Sequence, residues 1–140
     1  RKLIEQYKLY ELDFTGQPWD FVTQNFRLKE FYCNDGTAVP LHLLDNVRAV
    51  AEQLQIVRNY YNKPIRINSA YRTESYNNYV GGTAKSMHLV ALAVDTKPMW
   101  KISIDEYYSV VKKLTTFMGY GISLNFLHSD LRDKHTVWYY

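Results

Sequence analysis

The stretch SMHLVALAVD, residues 86–95, constrains the fold more than any other part of this chain. Leu89 to Val94 is an unbroken apolar run, closed by His88 on one side and Asp95 on the other. Apolar residues without alternation, bounded by polar ones, read as a central strand covered on both faces. On that reading His88 begins the strand and Asp95 ends it. The polar pair either marks two strand edges or holds a common ion.

Around this strand the pattern is mixed. Pro40 opens a helix, since proline is tolerated in a first turn. Leu41, Leu44, Val47, Val50, Leu54, Val57 and Tyr61 follow at helical spacing, and Pro64 marks the far boundary. IRIN, residues 65–68, alternates and reads as a half-buried strand. TESYNNYV predicts a short helix ended by Gly81 and Gly82. Ser103 and Glu106 have the spacing of a capping box. They start a helix carrying Tyr107, Val110, Leu114 and Phe117 that runs to Gly119. YGISLNFLHSDL and TVWYY read as late strands, and NFRLKEFYCNDGTAVP as a short helical turn before a loop, with NDG as the turn signal. The first 25 residues lack clear periodicity and are expected to wrap the domain. The sum is an α+β fold, with helices packed on a small, mainly antiparallel sheet. A length of 140 residues predicts a single domain over 1–140.

Composition narrows the function classes. A domain of this size buries roughly two-thirds of its unfolded surface and needs no staple to fold. Cys33, the sole cysteine, cannot form an internal disulfide, which neither requires nor excludes an extracytoplasmic location. The net charge of +3 comes with no long basic run. That gives little support to nucleic-acid binding, which needs clustered Lys and Arg, and suits an anionic substrate or cell-wall polymer. No apolar run approaches the ~20 residues of a membrane span. The chain starts at Arg1 rather than Met, so a trimmed chain is expected, with any signal peptide already removed. The thirteen tyrosines read mostly as packing and cleft-wall residues, because a phenol joins an apolar body to a polar tip.

Four histidines are present: His42, His88, His128 and His135. His42 falls in the first turn of the long helix and reads as a surface or packing residue. His128 lies in NFLHSDL with Asp130 two positions on, so the two share a strand face. Two strands paired side by side can bring His88, Asp95 and His128 together. Two imidazoles and a carboxylate, with a fourth position left open, suit a catalytic zinc site. On spacing alone the structural reading, ordinary histidines at strand edges, remains the competitor. No HExxH or cysteine-pair motif is present.

INSAYRTESYNNYVGGTAKSMHLVALAVD resembles the core motif of the zinc-dependent D-alanyl-D-alanine carboxypeptidases, the peptidoglycan-cleaving family that shares its fold with hedgehog signalling domains. The family pattern runs S-G-Y-R, a small helix with an asparagine, V-G-G, then S-x-H-x-x-G-x-A-x-D, and later G-x-G-x-Y and F-V-H-V-D. Its counterparts here are Ser69 to Arg72, Asn77, Val80 to Gly82, Ser86 to Asp95, Gly119 to Gly121 and Phe126 to Asp130. The likeness covers about residues 25–132, with all elements in order. It implies a hedgehog/D-Ala-D-Ala-peptidase-like fold, with His88, Asp95 and His128 as zinc ligands. Arg72 would grip a substrate carboxylate, a task for a planar, forked guanidinium, and Ser69 and Ser86 would support the substrate site.

The resemblance implies amide hydrolysis aided by zinc, which acidifies a water and polarises the scissile carbonyl. Several relatives carry an acid three residues before the last histidine, where this chain has Asn125, which cannot act as a base. Asp130 is the local candidate for catalytic base, with an equal claim to orienting a ligand histidine. His135 is a weaker candidate. Ala70 and Ala91 stand where the pattern has glycine, which matters if either needs a positive φ. The leading function is a zinc metallopeptidase of peptidoglycan stem peptides, cutting a terminal D-Ala-D-Ala bond, a cross-link, or L-Ala-D-Glu as phage lysins do. It is read as a monomer, periplasmic, secreted or phage-delivered to the cell wall, with no nucleic-acid partner. The alternative is a zinc-containing, non-catalytic binding or structural module of the same fold.

Overall fold

The computed structural model describes residues 14–140. The expectation of a wrapping segment over residues 1–25 therefore lies in part, at 1–13, outside the described residues. Phe14 packs against the core, and a small hairpin pairs β1 (Phe21–Thr23) with β2 (Phe26–Arg27). A single 3-10 turn, Leu28–Phe31, follows where a short helical turn is expected.

The long helix α1 (Leu44–Tyr61) buries Val47, Val50, Ala51, Leu54 and Val57 on one stripe, the i, i+3, i+4 set that the apolar spacing predicts. Pro40 precedes a 3-10 turn, Leu41–Leu43, that runs into α1. The helix stops at Asn62, which is left-handed (φ 52) and returns its N–H to the Arg58 carbonyl. The short helix α2 (Glu74–Tyr79) is capped by Thr73, whose hydroxyl accepts from the Tyr76 N–H at 3.1 Å. Ser103 caps α3 (Ile104–Leu114) by accepting from the Glu106 N–H at 3.1 Å. α3 ends at Leu114 rather than at Gly119. The Thr115 hydroxyl turns back to the Val111 carbonyl at 2.7 Å, and the extended backbone at Thr115 (φ −117, ψ 169) takes the chain out of the helix.

Five strands form the main sheet in the order β3-β4-β6-β5-β7. They are β3 (Ile65–Ser69), β4 (Ala93–Pro98), β5 (Gly119–Ile122), β6 (Leu127–Asp130) and β7 (Thr136–Tyr139). Every pairing is antiparallel except β5 with β7, so the mainly antiparallel α+β architecture is as the sequence predicts. One face of the sheet is covered by helices. There Tyr107 of α3 joins the Thr96 hydroxyl at 2.8 Å, and Tyr108 packs edge-on against Tyr120 at 5.0 Å.

On the opposite face one row takes a residue from each strand in register: Ser69, Asp95, His128, Gly121 and Trp138. Cross-strand partners point to the same side, so the sheet itself collects these groups. None of the helices among the described residues is long and apolar enough to cross a membrane.

Candidate metal centre

The apolar run before Asp95 is not one strand. Ser86 caps a 3-10 turn, Met87–Val90, by accepting from the His88 N–H at 3.2 Å. Ala91 then adopts a left-handed conformation (φ 57) that reverses the chain into β4. Only Ala93 onward is strand, and Asp95 is its third residue rather than its end. His88 therefore reaches the site from a turn folded over the sheet, not from a strand edge. Ala91 occupies the position where a positive φ is needed, and holding a side chain there costs about 1–2 kcal/mol. Ala70, by contrast, is not among the positive-φ residues.

That turn is tied down at both ends of His88. The His88 carbonyl accepts from the Arg72 N–H at 3.0 Å. Its ring Nδ1 donates to the Ala70 carbonyl at 2.6 Å. With Nδ1 protonated, Nε2 keeps its lone pair and faces Asp95 Oδ1 at 3.3 Å. His128 sits directly across from Asp95 in the β4–β6 ladder and brings Nδ1 to the same oxygen at 3.0 Å. All three side chains are buried, and their ligand atoms lie within 4.8 Å of one another, the only such group among the described residues.

These spacings can be tested against a metal. Ligands about 2.0–2.1 Å from a tetrahedral zinc stand roughly 3.3–3.4 Å apart. The two measured edges, 3.3 and 3.0 Å, are close to that. A nitrogen–oxygen–nitrogen donor set with the first imidazole's tautomer fixed by a backbone carbonyl fits zinc. Burial alone would raise the Asp95 carboxyl, but the hydrogen bond and charge of His128 hold it well below the usual carboxylate range. It is an anion ready to take a cation.

Behind His128 lies a second carboxylate. His128 Nε2 donates to Asp130 Oδ2 at 2.6 Å. Arg132 forks onto both Asp130 oxygens at 2.7 Å each, and its backbone N–H adds a bond of 3.2 Å. Asp130 is fully buried and does not line the cleft. Burial would raise its carboxyl, but the bonds from His128 and Arg132 hold it well below the ordinary range. Burial would lower His128, yet Asp130 and Asp95 together raise it. Both ring nitrogens face carboxylate oxygens, and a cation bound at Nδ1 would take the place of a proton there.

Arg72 lies on the other flank. Its Nε donates to Ser69 Oγ at 3.2 Å, Nη1 to Asn77 Oδ1 at 3.2 Å and Nη2 to Asp95 Oδ2 at 3.3 Å. Asp95 thus divides its oxygens, Oδ1 toward the imidazoles and Oδ2 toward the guanidinium. Three of the five guanidinium donors are used, leaving two for the cleft that Arg72 lines. Ser86 lines the same cleft, while Ser69 acts through Arg72.

The cleft above the triad has a volume of about 660 Å³, with Lys85 and Arg132 adding positive charge and Phe126, Trp138 and Tyr140 forming an aromatic wall. His42 is exposed in the turn before α1, and His135 is exposed before β7, against the Tyr120 ring at 6.3 Å. Neither reaches the cleft. Asn125 is exposed in the turn between β5 and β6. Sequence reasoning missed Arg132, although the alternation that pairs Asp130 with His128 extends one step further to it. It also missed Trp138 and Tyr140, whose approach depends on β7 pairing beside β5.

A comparison with curated proteins finds no match for the chain. The family model for Peptidase M15 matches residues 21–130, from the first residue of β1 to the last of β6. The match spans all three candidate ligands, their backbone supports and four of the five strands of the main sheet. The chain therefore belongs to the peptidase M15 family, a family of zinc metallopeptidases of the D-Ala-D-Ala carboxypeptidase type.

Proposed function

We propose that this chain hydrolyses amide bonds in peptidoglycan stem peptides, as a zinc-dependent carboxypeptidase or endopeptidase working at the cell wall. One observation carries the reading: His88, Asp95 and His128 converge on the floor of a cleft that also holds Arg72. Zinc held by these three would acidify a water and polarise a carbonyl. The chain's own groups do the rest. The two unused Arg72 donors and Lys85 can bind a peptide carboxylate, which stem peptides carry at their termini and side chains. Asp130 has no route to the substrate, and both its oxygens are engaged. Its position supports the orienting role, in which it fixes the His128 ring through Nε2, over that of base.

A second reading is a zinc-holding recognition module without efficient catalysis. Asn125 favours it, since it cannot take a proton where relatives carry an acid. Elemental analysis of the purified chain and of His88→Ala separates these from a metal-free structural role. About one zinc per chain, lost in the variant, is expected. Peptidoglycan digestion with and without a chelator then decides between enzyme and module: release of peptide fragments that chelation stops supports the enzyme, and wall binding with no release supports the module.

A further inference from the structure

Two aromatic side chains outside the family match face the metal centre. Trp138 is in β7 and Tyr140 follows it by two, beyond the matched residues 21–130. Residues two apart in extended chain point the same way. The Tyr140 N–H donates to the Ile122 carbonyl at 3.1 Å, so the β5–β7 ladder continues through it. Across that ladder Trp138 stands opposite Gly121. A Cβ at Gly121 would fall 2.5 Å from Trp138 Nε1 and 2.8 Å from Tyr140 Cε2. The absent side chain is what lets both rings lean over β5 toward the site.

The rings form a continuous wall. The Trp138 centre is 5.1 Å from that of His128, and Arg132 lies over its face at 4.9 Å. Tyr140 meets Trp138 edge-on at 6.4 Å and Phe126 at 5.4 Å. Tyr140 nonetheless keeps 70 % of its surface exposed, so it is not a core residue. Its hydroxyl feels the charges of Asp95, Arg72 and Asp130. A phenol O–H is a donor, and Tyr140 lines the cleft above the triad, so its proton can be offered to an acceptor bound there. Burial of the hydroxyl and the Asp95 charge raise the phenol above its ordinary range, and the proton stays on oxygen at neutral pH.

We propose that Tyr140 is a further catalytic residue, its O–H donating a hydrogen bond to the substrate oxygen that gains charge as the amide is hydrolysed. Trp138 is its positioning residue. This inference rests on the metallopeptidase reading above. No proton is transferred: the phenol remains neutral, and its contribution is a donor aimed at developing charge in a site walled by rings. That role is independent of Asn125, because a donor to the oxygen is not a base.

The test compares the zinc-loaded full chain with Tyr140→Phe, which keeps the ring and removes only the hydroxyl. The probe is a phosphinate analogue of the D-Ala-D-Ala dipeptide, whose anionic oxygens imitate the tetrahedral state, with affinity read by calorimetry. Zinc content, thermal melting, and kcat and KM on a stem pentapeptide are measured alongside. Tyr140→Phe is expected to lose about 10- to 100-fold in phosphinate affinity, with a similar fall in kcat, at unchanged zinc content and KM. Trp138→Phe should move the same way by less. Equal phosphinate affinity in wild type and Tyr140→Phe overturns the inference. So does an equal loss in affinity for the phosphinate and for substrate, or a zinc-loaded wild type that binds no phosphinate. A wild type that shows the phosphinate contrast but cuts no stem peptide leaves the donor role standing and removes the proposed substrate.

Discussion

Asp130→Asn separates the two roles open to that carboxylate. The change is nearly isosteric, so its effect comes from charge and donor count. Asp130 Oδ2 accepts from His128 Nε2 at 2.6 Å and from Arg132 Nη2 at 2.7 Å, while Oδ1 accepts from Arg132 Nε at 2.7 Å and from its backbone N–H at 3.2 Å. An asparagine supplies one acceptor oxygen and one NH2. Turned to keep the His128 bond, it sets its NH2 against the Arg132 Nε–H and backbone N–H. It also leaves the guanidinium without its counter-charge. Removing one partner of a buried pair costs about 3–5 kcal/mol. Because Arg132 is half-exposed and can turn to water, the expected loss is nearer 3 kcal/mol in the metal-free protein. In the metal-bound protein the ring keeps only a neutral amide acceptor in place of a carboxylate, and affinity should fall about 10- to 100-fold. Competition against a chromophoric chelator reads the second quantity, and urea unfolding in a chelator reads the first. If zinc affinity and stability hold while kcat at saturating zinc collapses by a thousandfold, Asp130 is the base and the orienting argument is refuted.

Three smaller perturbations test the supports of the site. Thr96→Val keeps the shape of β4 but strands the buried Tyr107 hydroxyl, now 2.8 Å from Thr96 Oγ1; urea unfolding should show a loss of about 1–3 kcal/mol. Ser103→Ala removes the cap of α3 and should cost about 1 kcal/mol by the same assay. Asp35 is held at a pKa of about 2, first by the Thr37 side chain and then by its N–H. A depressed carboxyl stabilises the fold above its unfolded pKa and ceases to as pH falls through the folded value. An NMR titration should place the Asp35 midpoint near 2, and Asp35→Asn should erase the matching loss of stability between pH 4 and 2. An Asp35 midpoint at the ordinary carboxylate value would contradict that hydrogen-bonded turn.

Side-chain alternation is what made half of the site readable. His128 and Asp130 fall two apart in a short strand and share a face without any knowledge of register, whereas Asp95 joins them only through the β4–β6 register that sets it opposite His128. His88 was readable as a ligand but not as to its support. A run of six apolar residues carries no period that separates a strand from a turn plus a strand. The break is made by Ser86 capping a 3-10 turn and by Ala91 turning left-handed. Alanine at such a φ has no propensity signal, where the glycine of the motif would have had one. The extent of α3 was misjudged for a related reason: Phe117 continues the helical spacing, but Thr115 has already bonded back to Val111 and let the chain leave.

The aromatic wall was illegible because it depends on pairing between strands far apart in sequence, and a parallel partner for β5 leaves no local mark. Yet one local mark of the site was present and underused. Gly119 and Gly121 are two apart, so both face the same side of β5, and register sets them opposite Asp130 and His128. A side chain at Gly119 would meet Asp130 and Arg132, and one at Gly121 would meet Trp138 and Tyr140. Strand interiors disfavour glycine, so a Gly-x-Gly inside a strand marks a face kept bare for something else to occupy. Here β5 supplies no functional group. It supplies the floor on which the carboxylate–arginine pair from β6 and the two rings from β7 come to lie beside the metal ligands.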